Sequence, residues 1–302
     1  MYTMPTPSSG VWGMVAGPDG NLWLVESRNQ VAKVTSSGVF TEYTIPTADA
    51  FPTGIASGPD GNLWFLEEGL HGTNNKVAKV TTSGVFTEYT IPTADSGSRN
   101  IAAGSDGNLW FTETRANKVA TVTTSGVFTE YAVPFANARP SSIVSGKDGN
   151  LWFAEGSGNR IAKVTTSGVF TEYTIRINVP DWQNFWVYSL AAGPDGDLWI
   201  SESFCAPCSQ LFEVVKVNTS GDFTEYRLPT SSIAASLTAG PDGKIWFTYG
   251  AQPKVASVTT SGVFTEYQIP QSAIVIAAGP DGSMWFGSPA ADTIGKLELV
   301  RT

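Results

Sequence analysis

Five glutamates occupy one recurring position in this sequence. Glu26, Glu67, Glu113, Glu155 and Glu202 each follow a tryptophan by three residues, as in Trp110-Phe111-Thr112-Glu113, while Tyr249 and Ser288 take the same place in two further copies. Carboxylates set at equivalent points around a ring could hold a divalent cation, Mg2+ or Ca2+, or create a negative potential for a cationic ligand. The bland alternative is favoured: each pairs within its own repeat with the basic residue that follows, Glu67 with Lys76, Glu113 with Lys118, Glu155 with Arg160. His71 is the single histidine, with no nucleophile or metal-ligand spacing near it, and reads as a surface-loop residue. Cys205 and Cys208 form a Cys-x-x-Cys pair; zinc would need two more Cys or His ligands, which the chain does not have. A local disulfide, worth at most about 2 kcal/mol because the closed loop is short, is expected if the protein is exported, and two free thiols if it is not.

The elements that must position these groups are set by a repeat. The pattern of Gly58-Pro59-Asp60-Gly61-Asn62-Leu63-Trp64-Phe65, Gly then Asp-Gly, apolar and Trp, returns six more times, placing Trp23, Trp64, Trp110, Trp152, Trp199, Trp246 and Trp285 about forty residues apart. That period, with several short strands per unit, predicts an all-β fold: a seven-bladed β-propeller of four-stranded antiparallel blades in one domain, residues 1–302. The Pro-Asp-Gly stretch is a tight hairpin turn, with Gly supplying positive φ. A second turn, Thr81-Thr82-Ser83-Gly84, leads into the last strand of each unit. Because the chain opens on a segment like the end of a repeat, residues near Tyr2 to Met4 are expected to pair with residues near Ile294 to Leu299 and close the last blade. The large departures from the period fall on the face opposite the Asp-Gly turns: the loop around Glu68 to Asn75, the insertion Ser203 to Gln210, and the long link Asn178 to Tyr188, which adds Trp182, Trp186 and Tyr188. An aromatic cluster on that rim suits ligand contact, or else simply covers the blade.

Composition narrows the partners. With 18 basic against 27 acidic residues the net charge is −9, and no basic run appears, which argues against nucleic acid or anionic lipid. No apolar run approaches the roughly eighteen residues needed to span a membrane. No basic leader or apolar export segment is visible at the start of the sequence. An acidic surface rich in Thr, Ser and Gly leans towards a secreted or extracytoplasmic location, with the cytoplasm as the alternative, and a monomer is expected.

The repeated Gly-Pro-Asp-Gly-Asn-Leu-Trp-Phe-Thr-Glu, Asn-Lys-Val-Ala-Lys-Val-Thr-Thr-Ser-Gly and Phe-Thr-Glu-Tyr-Thr-Ile-Pro-Thr segments resemble, over essentially the whole chain, those of the virginiamycin B lyase family of streptogramin-inactivating seven-bladed propellers. The resemblance implies an enzyme that opens a cyclic depsipeptide ester by elimination, using magnesium and a base at the channel mouth. Its histidines lie at the start of the first strand of the last two blades. Those positions are Ala235 and Ile274 here, the associated glutamate is Ser272, and the early aromatic of the first blade is Trp12. Neither Ala nor Ile accepts a proton, so elimination by that route is not expected. The same register defines a mouth ring of Trp12, Thr53, Arg99, Ser141, Tyr188, Ala235 and Ile274. Arg99 on an anionic group, with Trp12 or Tyr188 against a ring, would cradle a small molecule. The expected function is therefore a small-molecule binding module. The alternatives are a metal-assisted lyase or lactone hydrolase with a rebuilt site, Glu113 or Glu155 as base and Arg99 as oxyanion partner, and a scaffold showing its long loops to a protein.

Overall fold

The computed structural model of the chain describes residues 1–27, 29–69, 72–156, 159–175, 186–206, 209–288 and 290–299. Its strands form seven four-stranded antiparallel sheets and, among the described residues, no helix. Six sheets are consecutive in sequence. The second, for instance, runs Pro52–Ser57, Leu63–Glu67, Lys76–Val80 and Phe86–Thr90 from the innermost strand to the outermost. The seventh takes Val275–Ala278, Met284–Gly287 and Thr293–Leu297 from the end of the chain and Tyr2–Thr3 from its start. Tyr2 pairs with Ile294 and Thr3 with Thr293, so the ring closes as the repeat boundaries predicted.

Each blade is pinned by its tryptophan. The Asp of the Asp-Gly turn accepts a hydrogen bond from the Trp Nε1 four residues on, at 2.9 to 3.4 Å in all seven blades. Gly61 closes its turn with φ 73°, where a side chain would be strained. The same indole stacks on the tyrosine of its outermost strand, with centroids 5.9 Å apart for Trp64 and Tyr89, and Tyr2 supplies that ring for Trp285 at 5.4 Å. The tyrosine then lies against a turn glycine of the next blade: a Cβ on Gly84 would sit 2.2 Å from Tyr43. Apolar cores fill the gaps between blades. Trp64, Leu66 and Val77 of the second pack with Leu109, Phe111 and Val122 of the third, and six like clusters complete the circle. Burying such side chains contributes roughly 1.5–3 kcal/mol each.

The fifth blade departs from expectation. The stretch from Ser203, read as a loop insertion, instead lengthens the hairpin: Leu198–Ala206 and Ser209–Val217 stay paired out to Cys205 with Gln210 and Ala206 with Ser209.

Candidate functional site

The innermost strands surround a central cavity of about 1030 Å³, lined by residues of all seven blades. Its lower wall is built of small residues such as Ala16, Ala56, Ala103 and Ala278. At the mouth stand Trp12, Thr53, Arg99, Ser141, Tyr188, Ala235 and Ile274, the whole ring read from the repeat register.

What aims five of these side chains, Trp12, Arg99, Ser141, Tyr188 and Ala235, is a set of bulges. The ladder pairs Ser98 with Glu113 and then Ile101 with Phe111, so Arg99 and Asn100 together face one residue of the second strand. The same skip occurs at Trp12, Gly54, Ser141 and Ser142, Tyr188, and Ala235 and Ser236. An extra residue bends the strand and turns its side chain out of the pleat. Asn100 Oδ1, Ser142 Oγ and Ser189 Oγ then accept hydrogen bonds from the backbone N–H of Ile143, Leu190 and Leu237 in the following blade, at 3.1 to 3.2 Å.

The mouth is mixed in character. Trp12, Phe51 and Tyr188 are among the few exposed large apolar side chains of the molecule, at 51%, 37% and 38%. The Tyr188 hydroxyl lies 3.1 Å from Ser203 Oγ. Phe51 was not read from the sequence; its place just before the Pro52 that opens an innermost strand is the signal that could have found it. Arg99 is exposed and makes no ion pair among the described residues. The acidic side chain in the described wall is Glu68, tied to Arg115 at 3.1 Å, with Arg115 also on Asp95 at 2.8 Å. Of the other aromatic candidates, Trp182 lies outside the described residues, as do His71 and Cys208; Trp186 and Cys205 have described strand positions only.

The five recurring glutamates require a correction. They do not line the cavity: Glu26, Glu67, Glu113 and Glu155 are 0% exposed and Glu202 1%. They occupy separate blades, and no group of three or more His, Cys, Asp or Glu that could hold a metal occurs among the described residues. Nor do the lysines pair with them. Lys76 binds Glu88 at 2.8 Å and Lys118 binds Glu130 at 2.7 Å, both acids on outermost strands. Arg160 alone follows the expected pairing, with Nε 3.5 Å from Glu155, and it also reaches Glu172 at 3.0 Å. Burial is the leading cause of a large upward pKa shift in all five. Glu113 rises to about 8, with Glu130 adding to the rise; Glu26, Glu67 and Glu155 rise to about 7, and Glu202 climbs well above its ordinary range.

A model of the virginiamycin B lyase family matches residues 1–201 and 177–301. Among solved structures, a streptogramin B lyase is 30% identical over 99% of this chain and 96% of its own, with a TM-score of 0.85. A catalytically inactive histidine-to-alanine variant of virginiamycin B lyase from Staphylococcus aureus, with quinupristin, is 29% identical over 99% of this chain and 98% of its own, with a TM-score of 0.86. The extracellular domain of a putative hybrid two-component system from B. thetaiotaomicron, 15% identical over all of this chain and 40% of its own with a TM-score of 0.75, shares the fold. Sequence comparison with curated proteins finds no match.

Proposed function

The chain belongs to the virginiamycin B lyase family, and from that premise we propose that it is a small-molecule binding protein, using the channel mouth, without the family's elimination chemistry. The observation that carries this reading is the chemistry of the ring. Ala235 and Ile274 occupy the cavity wall where the resemblance places histidines, and an alkyl group takes no proton from a substrate carbon. The catalytically inactive histidine-to-alanine variant of a relative, whose structure is one with quinupristin, supports the separation of binding from turnover.

Recognition rests on what the ring keeps. An aromatic or branched apolar body would lie against Trp12, Phe51 and Tyr188, and an anionic group would meet the guanidinium of Arg99, which has no ion pair among the described residues. A rebuilt enzyme has less support. Glu113 and Glu155 are sealed from the cavity, and Glu68, which does line it, is held by Arg115. Extracytoplasmic residence suits the acidic surface, and among the described residues no helix is long and apolar enough to cross a membrane.

The test is a calorimetric titration with a series of aromatic carboxylates and their neutral amides. Arg99→Ala is expected to weaken carboxylate binding about ten-fold or more, the scale of one charge-assisted hydrogen bond, and to leave the amides unchanged. Equal affinities for acid and amide in the native protein would remove Arg99 from the site.

A further inference from the structure

Under the mouth lies an acid layer that ligand binding does not use. Glu26, Glu67, Glu113, Glu155 and Glu202 are cross-strand partners of Val11, Pro52, Ser98, Pro140 and Val187, each of which immediately precedes a mouth residue. All five are buried at the innermost part of the ladder, and among the described residues no carboxyl oxygen of any of them accepts a well-formed hydrogen bond, the nearest cation being Arg160 Nε at 3.5 Å from Glu155. An ionised carboxylate cannot be left in that state without a large desolvation cost.

The neighbours show where a proton would go. Glu88 and Glu130 each accept from several donors, which favours the carboxylate form, and each keeps a lone pair for one more. Glu130 takes the Thr93 N–H at 3.0 Å, the Thr93 hydroxyl at 2.7 Å and Lys118 at 2.7 Å; Glu88 takes the Thr47 N–H at 3.1 Å and Lys76 at 2.8 Å. Despite their burial, those donors hold both below the usual glutamate range. The sixth blade supplies a natural control. There Tyr249, whose hydroxyl keeps its proton, replaces the glutamate and donates to the outermost-strand Glu266 at 3.0 Å. A donor is what that position calls for.

We propose that Glu113 and Glu155 are neutral carboxylic acids that donate to Glu130 and Glu172 as Tyr249 donates to Glu266, that Glu67, set between Glu88 and the Thr47 hydroxyl, is neutral as well, and that this layer is a pH-sensitive brace for the mouth. The groups facing each are the following: Lys76, Glu88 and the Thr47 hydroxyl around Glu67, Lys118 and Glu130 around Glu113, Arg160 and Glu172 around Glu155. In the first blade Glu26 faces the Ser9 hydroxyl and Glu42, and Gln30 stands in place of the lysine. In the fifth, Glu202 lies opposite Glu213 with Glu225 beyond, Arg227 acting on Glu213. The folded state holds these protons above the pH at which the unfolded chain releases them, so stability falls as pH rises through neutrality.

Two measurements on the native protein test this. Infrared spectra at neutral pH should contain the carbonyl band of protonated carboxyls shielded from exchange, reduced in Glu113→Gln. The thermal midpoint should drop on the order of 5 °C between pH 6 and pH 9, and the triple variant Glu67→Gln, Glu113→Gln, Glu155→Gln should flatten that drop. Amide exchange at residues 98–100, corrected for its intrinsic pH dependence, should rise over the same range. A native midpoint that is flat or rises with pH, or spectra without the band, would overturn the proposal. The wild-type spectrum decides the matter even if the triple variant does not fold.

Discussion

Glu113 and Arg99 sit close in the fold and have opposite fates. Arg99 is turned out by a bulge into the mouth, while Glu113 is the cross-strand partner of Ser98 and is sealed from solvent. The sequence made the recurring glutamates visible but not their partners. Lys118 stands opposite Glu113 in the ladder, yet its ammonium reaches outward to Glu130 and Thr93, where it stays 28% exposed. Following Glu113 into a fully buried site would have stripped its hydration, a cost that spacing alone does not reveal. The pH consequence has a defined sign. A glutamate whose pKa rises from 4.5 in the unfolded chain to about 7 stabilises the fold fully only below 4.5, and by pH 9 its contribution has fallen by roughly 3 kcal/mol. Asp60 works in the other direction. Burial would raise it, but hydrogen bonds from Trp64 and Asn62 outweigh that and hold it below 3.8, so its contribution is lost only in strong acid. Maximum stability is thus expected in mildly acidic solution.

At the scale of the element, the hairpin turns were legible and the bulges were not. Pro-Asp-Gly announces a turn through the conformations of its residues, and the Asp-to-Trp spacing of four also carries the Trp Nε1 hydrogen bond, which the turn reading overlooked. A bulge leaves no such mark. Asn100 and Ser142 look like ordinary strand residues until the ladder shows two residues facing one. The hairpin at Cys205 was missed for a related reason, because Pro and Cys suggested a loop where the ladder continues. If the turn aspartate is what fixes the indole, Asp60→Ala should cost about 1–3 kcal/mol, since the Trp64 N–H is then left buried without an acceptor. Chemical denaturation would show it as a lower midpoint with an unchanged slope.

For the molecule as a whole, the count of seven blades followed from the period, because no wedge can bury both faces without two neighbours, and their closure from the repeat-end segment that opens the sequence. Tyr2 gives the last tryptophan the stacking partner that every other blade provides for itself, and Met4 is 3% exposed behind it. Removing residues 1–4 should therefore expose the edge at Thr293–Leu297, lower the thermal midpoint and promote association at that edge, as size-exclusion chromatography would report. What the period could not convey is the use of the ring, which depends on single residues at the bulges. The central claim is that this family member has kept the mouth and lost proton handling there. Its most direct measurement is incubation with a streptogramin B and magnesium, with the ring-opened product resolved by chromatography. The account predicts that the cyclic compound is recovered intact. Magnesium-dependent ring opening that disappears in Glu68→Gln or Glu113→Gln would contradict it.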